Sequence, residues 1–335
     1  MKIIIPMAGR GTRLRPHTLT VPKPLIPIAG KPMVQRIVED LSAAYPGQIE
    51  EIAFITGDFG AAVENSLLDI ARSFGAAGRI YHQQQPLGVA HAILCAADSL
   101  HGNVFIAFSD TLFKADFSFD PAEEGIIWVK QVDDPSAFGV VRTDAGQLIT
   151  DFVEKSPVFV SDLAIVGLYY VREGAYLRDQ IRELVDGNVR DKGEFQITSV
   201  LENMKQSGYR FRASTIEEWL DCGNKDNIID TNRRMLELKH GNETLRAPSA
   251  RIEHSVVIEP CFIGANAVIR HSVVGPYVSV GDHCVLENTN VRNSVIQQHT
   301  RVSNTVLADS MIGSHVSFSG NPANLSIGDY TAFQA

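Results

Sequence analysis

The sequence has little cysteine, with single residues at Cys95, Cys222, Cys261 and Cys284. No two of them form a C-x-x-C pair, so neither a zinc site nor a disulfide framework is predicted, and we expect four reduced thiols. No apolar run approaches the ~20 residues that a membrane-spanning helix needs. The apolar start, Ile3–Ile5, is too short for the hydrophobic part of a secretion signal. We therefore expect a cytoplasmic protein without a membrane partner.

Positive charge is also scarce, because 30 lysines and arginines stand against 39 acidic residues and leave a formal net charge of −9. This balance argues against a general nucleic-acid binder. One stretch near the N-terminus departs from this overall negative charge. Residues 7–25 read "MAGRGTRLRPHTLTVPKPL", which is basic and rich in glycine and proline. A local basic stretch in an acidic protein is expected to bind one particular anion.

The length of 335 residues is large for one compact core and predicts two domains. Residues 1–240 alternate between short apolar strands and helical patterns, which predicts an α/β, Rossmann-like, mostly parallel sheet flanked by helices. The candidate strands are Lys2–Ile5, Ile52–Thr56, Val104–Phe108, Ile126–Lys130, Ala137–Arg142 and Ala164–Val171. In such sheets ligands bind beyond the carboxyl ends of the strands, which is where the basic stretch begins.

Residues 247–320 follow a different sequence pattern, in which an aliphatic residue recurs about every six positions and is often followed by glycine. The clearest pairs are Ile263-Gly264, Val274-Gly275, Val280-Gly281 and Ile312-Gly313. A repeat this short indicates a β-solenoid, and the segment resembles the left-handed β-helix of hexapeptide-repeat proteins. There is room for about four coils, with imperfect repeats around 286–293 and 302–309 and no clear signal after residue 321. A small β-sandwich is the alternative.

The basic stretch fits neither of the common nucleotide-binding motifs, since Leu14 replaces the third glycine of the dinucleotide fingerprint and no P-loop spacing is present. Gly9 and Gly11 can adopt positive φ, so that consecutive N–H groups form an anion nest. Arg13 and Lys23 supply the charge that a triphosphate requires, and three prolines stiffen the loop. The segment is therefore predicted to wrap a nucleoside triphosphate.

The runs "GRGTRLRPHT" and "PKPLIPIAGKP" resemble the signature of the nucleotide-sugar pyrophosphorylases, and the similarity extends over residues 1–240. The resemblance implies that a nucleoside triphosphate and a sugar 1-phosphate react to give a nucleotide sugar and pyrophosphate. It places Ala8, Gly9, Gly11 and Thr12 at the nucleotide, with Arg13 and Lys23 as catalytic cations. Arg10 departs from the family, in which glycine is common at this position.

Two carboxylates are candidates for binding Mg²⁺, a hard cation that prefers oxygen ligands and bridges substrate phosphates. Asp110 ends the apolar strand "VFIAFSD", so its side chain is expected in the ligand crevice, although an aspartate can also simply cap a turn. Asp221 in "EWLDCGN" matches the W-x-D-x-G of the family, where this aspartate completes the metal site. Asp110 is also the third catalytic candidate.

The resemblance further implies a sugar-phosphate site, whose members are Gly139 in "FGVV", Glu154 and Lys155 in "FVEKS", Val166 in "AIVGLYYV" and Lys192 in "DKGEFQITSV". Glu154 would accept hydrogen bonds from sugar hydroxyls, and Lys155 would hold the sugar phosphate. Lys192 replaces an arginine, which retains the charge without the bidentate fork. Glu194 and Thr198 are expected to cap a helix.

The segment "QQQPLGVAHA" resembles the base-binding segment of the family. Gln83 could offer both its donor and its acceptor to thymine or uracil, with Gln84 or Gln85 as substitutes, and Gly88 leaves space for the base. His91 is expected on a helix surface. Thymidylyl transfer to glucose 1-phosphate is the preferred interpretation, followed by uridylyl transfer and by guanylyl transfer to mannose 1-phosphate.

Two further classes of function remain open. β-Helices often carry acyltransferase activity, for which the candidate residues are His254, His271, His283, His299 and His315. A non-catalytic nucleotide sensor is the other. The open ends of the solenoid favour self-association, so a homo-oligomer formed through the β-helix is expected.

Overall fold

The computed structural model describes residues 1–9, 11–114, 120–320 and 325–334. By its internal contacts the chain divides into two compact units. The first comprises Met1–Gly9 with Ile37–Trp219, and the second comprises Arg10–Arg36 with Leu220–Ala335. The segment Arg10–Arg36 therefore packs with the C-terminal part of the chain. The division predicted from sequence, 1–240 and 247–320, remains a prediction.

Up to residue 240 the strands are β1 (Lys2–Pro6), β2 (Pro27–Ile28), β3 (Lys31–Pro32), β4 (Glu51–Thr56), β5 (Ala77–His82), β6 (Val104–Ala107), β7 (Thr111–Lys114), β8 (Gly125–Gln131), β9 (Gly139–Thr143), β10 (Ile149–Glu154), β11 (Leu163–Val171), β12 (Phe211–Thr215) and β13 (Glu218–Asp221). The α-helices are α1 (Met33–Ala44), α2 (Ala61–Ser73), α3 (Val89–Cys95), α4 (Gly174–Asp186), α5 (Ile197–Gln206) and α6 (Lys225–Lys239). The helix expected over 88–100 ends earlier than predicted, at Cys95, and a single 3-10 turn follows at Ala97–Ser99.

The first unit is built on one sheet with the strand order β10-β9-β11-β6-β1-β4-β5, and β8 and β12 extend it from β11. Strands β6, β1, β4 and β5 run parallel, whereas β11 is antiparallel to β6, β8 and β9. The side chains of β1 from Lys2 to Ile5, and all those of β4 and β6, are buried, as expected for parallel strands covered on both faces. The predicted α/β class is confirmed.

Beyond residue 250 the chain forms short strands: β14 (Arg251–Glu253), β15 (Val256–Val257), β16 (Phe262–Ile263), β17 (Val268–Arg270), β18 (Val273–Val274), β19 (Val278–Val280), β20 (Val285–Arg292), β21 (Ser294–Ile296), β22 (Arg301–Ala308), β23 (Met311–Ile312), β24 (Ser317–Ser319), β25 (Ser326–Ile327) and β26 (Ala332–Gln334). Their pairings are all parallel, and corresponding positions recur at 251, 268, 285, 301, 317 and 332. Parallel coils of this length form a β-helix and exclude the β-sandwich.

The β-helix extends further than the sequence predicted, because β25 and β26 form another coil beyond residue 321. Its signal is present in the sequence, since Ile327-Gly328 repeats the aliphatic-glycine pair of Ile312-Gly313. The imperfect repeats have a structural reason as well. Strands β20 and β22 run continuously through a corner at Asn288 and Asn304, where other coils break into two strands.

The five histidines considered for acyl transfer all lie at corners of the coils. Their backbones have positive φ, as do those of Asn288 and Asn304 at equivalent corners. Among residues with a side chain, histidine, asparagine and aspartate tolerate this left-handed conformation best. The rings of His283, His299 and His315 stack on one another, with centroids 4.8 and 4.9 Å apart. The conformation of the corners therefore accounts for these histidines without a catalytic role.

All four cysteines lie in the described part of the chain, and none is in a disulfide, as expected. Burial raises the pKa of both Cys261 and Cys284 to about 12, so these thiols stay protonated and unreactive at neutral pH. Of the helices in the described ranges, none has the length and apolarity to cross a bilayer.

Candidate active site

Several predicted site residues meet at one edge of the sheet of the first unit. Strands β1, β6, β4 and β5 are parallel and in register, so their carboxyl ends lie side by side. Ala8 and Gly9 follow β1, Asp110 follows β6 and Gln83 follows β5. The backbone ladder continues past the strands, since the N–H of Gln83 donates to the carbonyl of Thr56 at 2.9 Å. This is the edge at which α/β sheets bind ligands.

A bulge in β11 reaches the segment that carries Asp110. The pairing register of β11 shifts between Ile165 and Tyr169, and Gly167 there has a φ of 84°. Its carbonyl accepts the N–H of Phe108 at 2.9 Å. A Cβ at Gly167 would come within 2.7 Å of the Phe108 ring, so only glycine permits this approach. The predicted Val166 is buried beside this bulge, and Asp110 is half-buried two residues beyond Phe108.

The base-side residues form a hydrogen-bonded group. The Gln83 side-chain amide donates to the carbonyl of Gly88 at 3.0 Å and lies 3.1 Å from Nδ1 of His91. Burial, with the nearby Arg190 charge, lowers the pKa of His91, which favours a neutral ring that accepts from the amide. Both donors of Gln83 are then used within the protein. Within the described part of the chain, the carbonyl oxygen of Gln83 makes no hydrogen bond to the protein, and the expected role of Gln83 at the base stays a prediction.

The sugar-side residues cluster around the carboxylate of Glu154, whose side chain is only 10% exposed. Glu154 ends β10 directly opposite Gly139, where a Cβ would come within 2.9 Å of the carboxylate. The hydroxyl of Thr198 donates to one carboxylate oxygen at 2.9 Å, and Nζ of Lys155 lies 3.4 Å from the other. Lys192 donates to the carbonyl of Glu154 at 3.4 Å. The structure thus brings Gly139, Glu154, Lys155 and Lys192 together.

The expectation that Glu194 and Thr198 cap a helix is wrong. Helix α5 begins after Gln196, and no side chain caps that end. Thr198 instead orients Glu154, while Glu194 accepts from the Gln196 side chain at 3.3 Å. Sequence reasoning missed Thr198 as a site residue because a threonine near a helix start is usually read as a cap. The signal was its place within the family-like run "GEFQITS".

In the second unit, the loop after β1 folds around Gly11, whose φ of 58° is left-handed. The carbonyl of Gly11 accepts the N–H of Leu14 at 3.0 Å and the hydroxyl of Thr18 at 2.8 Å. A Cβ on Gly11 would meet that of Lys23 at 3.0 Å, so these predicted residues are neighbours. Lys23 is buried, whereas Thr12 and Arg13 are exposed. The loop therefore presents Arg13 to solvent and holds Lys23 against its own backbone.

Asp221 lies in the second unit at the end of β13, just before helix α6. The side-chain amide of Asn227 donates to the Asp221 carboxylate, and the hydroxyl of Thr231 donates to its carbonyl at 2.9 Å. Asn224 caps α6 by accepting the N–H of Asn227 at 3.0 Å. The first turns of α6 thus fix an exposed carboxylate, while the neighbouring Cys222 is buried.

The donor set suits Mg²⁺, because both predicted ligands are carboxylates and this ion is usually bound by one or two carboxylates together with substrate phosphates. Within the described ranges no group of three His, Cys, Asp or Glu side chains could hold a metal by itself. Asp110 belongs to the first unit, and Arg13, Lys23 and Asp221 belong to the second. Their convergence on one ion and one triphosphate stays a prediction.

Comparison with known proteins is consistent with these features. Residues 2–237 match the family model described as nucleotidyl transferase. The chain is 29% identical over 364 residues to a glucose-1-phosphate thymidylyltransferase of Streptomyces griseus, covering 100% of this chain and 99% of that protein. It is 31% identical over 341 residues to the low-salt glycan biosynthesis nucleotidyltransferase Agl11 of Haloferax volcanii, covering 93% and 92%.

Among solved structures, a UDP-glucose pyrophosphorylase complexed with UDP-glucose has a similar fold, with a TM-score of 0.57 at 24% identity. The similarity covers 71% of this chain and 98% of that one.

Proposed function

Because the chain belongs to the nucleotidyl transferase family, we propose that it transfers a thymidylyl group from dTTP to glucose 1-phosphate and releases pyrophosphate. The observation that carries the proposal is the end-to-end similarity to the thymidylyltransferase of Streptomyces griseus, which includes the C-terminal part of the chain. The reaction class, nucleotidyl transfer to a sugar 1-phosphate, follows from the family, while the base and the sugar are our assignment.

The chemistry needs positioning and charge neutralisation more than a general base, since the attacking phosphate oxygen is already ionised at neutral pH. In our proposal Arg13 and Lys23 neutralise the triphosphate, and the N–H groups near Gly11 and Thr12 line its path. Asp110 and Asp221 would hold Mg²⁺. When bound, that ion would screen the phosphate charge and favour departure of pyrophosphate.

On the sugar side, Glu154 would accept hydrogen bonds from sugar hydroxyls, and the two ammonium groups of Lys155 and Lys192 would bind the phosphate. The 2.9 Å bond from Thr198 supports this role, because it leaves the remaining lone pairs of a largely buried carboxylate for a ligand. On the base side, the carbonyl oxygen of Gln83, which bonds to no described residue, suits the imide N–H of thymine or uracil, for which it acts as acceptor.

The assay is pyrophosphate release by the full chain with Mg²⁺ and glucose 1-phosphate, using dTTP, UTP, GTP, CTP and ATP separately. We expect the highest kcat/KM with dTTP. A higher value with UTP, or with GTP and mannose 1-phosphate, would replace the assigned base and sugar while keeping the reaction class. If no pyrophosphate is released with any of the five nucleotides and either sugar 1-phosphate, a nucleotide sensor is favoured and the proposal is overturned.

We also infer that the protein self-associates through one side of the β-helix. Val256, Val273 and Val306 occupy equivalent positions on three of four successive coils, with Asn290 on the coil between Val273 and Val306, and they are 56%, 36% and 49% exposed. Exposed valines aligned on one side of the coils provide apolar surface of the kind that marks protein–protein contacts. Light scattering on Val273→Glu should give a smaller assembly than the wild type. A wild-type monomer, or an unchanged mass in the variant, would refute this inference.

The four cysteines are free, which suits a reducing compartment and supports the proposed cytoplasmic location.

A further inference from the structure

The nucleotide loop, residues 11–23, is bonded to the last coil of the β-helix, residues 325–334. Nε2 of His17 lies 3.1 Å from the hydroxyl of Ser326, and the hydroxyl of Thr20 donates to the carboxylate of Asp329. Gly328 packs against Pro16, where a Cβ would come within 2.9 Å of the proline ring. Both partners belong to the second compact unit. The loop and the last coil, which are about 300 positions apart in sequence, are thus in direct contact.

The loop has little regular structure of its own to hold it. Two 3-10 turns, Thr12–Leu14 and Lys23–Leu25, and a few local backbone bonds such as the 3.1 Å bond from Leu19 to Pro16 are its regular features. Short turns of this kind are marginal without external contacts. The side-chain bonds to the last coil are therefore well placed to select one loop conformation.

His17 is built into this contact as a core residue, being only 1% exposed. Burial lowers the pKa of His17 to about 4, although Asp329 acts in the opposite direction and Lys225 adds to the lowering. A neutral imidazole is therefore the form that pairs with Ser326 at neutral pH. In the signature, His17 occupies the variable position between Pro16 and Thr18, so the motif itself does not require a histidine there.

We propose that the last coil of the β-helix is a positioning element for nucleotide binding, in which the His17–Ser326 and Thr20–Asp329 bonds hold the loop ready for the triphosphate. The proposal rests on the function assigned above, since it presumes that Arg13 and Lys23 meet the nucleotide. It gives the β-helix a role in the reaction in addition to self-association.

The test compares full-length variants by steady-state kinetics and by hydrogen exchange of the loop. Ser326→Ala and His17→Leu each remove one partner of the bond, and His17→Gln retains a donor and an acceptor. Ser317→Ala, at an exposed position of strand β24, is the matched control. Loss of one hydrogen bond should raise the KM for the nucleotide about fivefold. The KM for the sugar phosphate should stay unchanged, and amides 11–23 should exchange faster than in the control.

The double variant His17→Leu with Ser326→Ala should be no worse than the poorer single variant, because both remove the same bond. His17→Gln should recover most of the nucleotide affinity. The proposal is overturned if both single variants match Ser317→Ala in loop exchange and in nucleotide KM, or if only their melting temperatures fall. Failure of the assigned function would look different, because the wild type would then release no pyrophosphate. Hydrogen exchange of amides 11–23 would still show whether the bond between His17 and Ser326 orders the loop.

Discussion

Thr198 offers the sharpest test of the sugar site, because valine removes its hydroxyl and keeps its shape. The Thr198 hydroxyl donates to Glu154 at 2.9 Å, and both side chains are largely buried. Hydrogen bonds to charged groups contribute about 1.5–3 kcal/mol. Glu154 also has Lys155 at 3.4 Å, so we take the lower end, about 1.5–2 kcal/mol.

At about 1.4 kcal/mol per factor of ten, Thr198→Val should lower kcat/KM for the sugar 1-phosphate about tenfold to thirtyfold. Initial rates of pyrophosphate release, with sugar phosphate varied at saturating nucleotide, measure this directly. Thr198→Ser retains the hydroxyl and should stay within about threefold of the wild type. If the valine and serine variants behave alike, Thr198 does not act through Glu154 and the reasoning fails.

Three further results are expected. Arg36 is fully buried and donates to the carboxylate of Glu243 and to the carbonyl of Ala29, both at 2.6 Å. Glu243 keeps Lys31 at 2.8 Å as a second partner, so Arg36→Met should lower the free energy of unfolding in urea by about 1–3 kcal/mol; a midpoint like that of the wild type would contradict this. Because burial depresses the His17 pKa from 6.5 to about 4, the unfolded state binds the proton more readily. The free energy of unfolding should keep its full value above pH 6.5 and fall by up to about 3 kcal/mol towards pH 4, compared with that of a His17→Leu variant. If the free energies of unfolding of the two proteins change with pH in parallel, this expectation is wrong. Gly88 has a φ of 113°, and a Cβ there would lie 2.6 Å from the backbone of Phe195, so Gly88→Ala should cost at least about 1–3 kcal/mol and weaken nucleotide binding. Thermal melts with and without dTTP check this, and an unshifted melt would count against it.

The parts of the fold that local patterns specify could be predicted from the sequence. Continuous apolar runs such as Ile3–Ile5 identified the parallel strands, since burial on both faces leaves no alternation. The six-residue repeat identified the β-helix, because every coil buries an aliphatic residue at the same position. The antiparallel course of β11 was not visible, as direction is decided by pairing between distant strands.

The candidate site was predictable only where a residue's role is local. Gly11 has the left-handed backbone expected of it, and Glu154 and Lys155 lie together as neighbours in sequence must. The bond from Thr198 to Glu154 spans 44 positions and that from His17 to Ser326 spans 309. Such pairings depend on tertiary packing, which no local pattern encodes.

The central claim is that one magnesium ion and one triphosphate bring Arg13, Asp110 and Asp221 together. A crystal structure of the full chain with dTTP and Mg²⁺ tests it most directly. The account predicts carboxylate oxygens of Asp110 and Asp221 at about 2.0–2.1 Å from the same ion, with the Arg13 guanidinium at the phosphates. An ion bound by neither carboxylate, or a nucleotide away from residues 11–23, would contradict it.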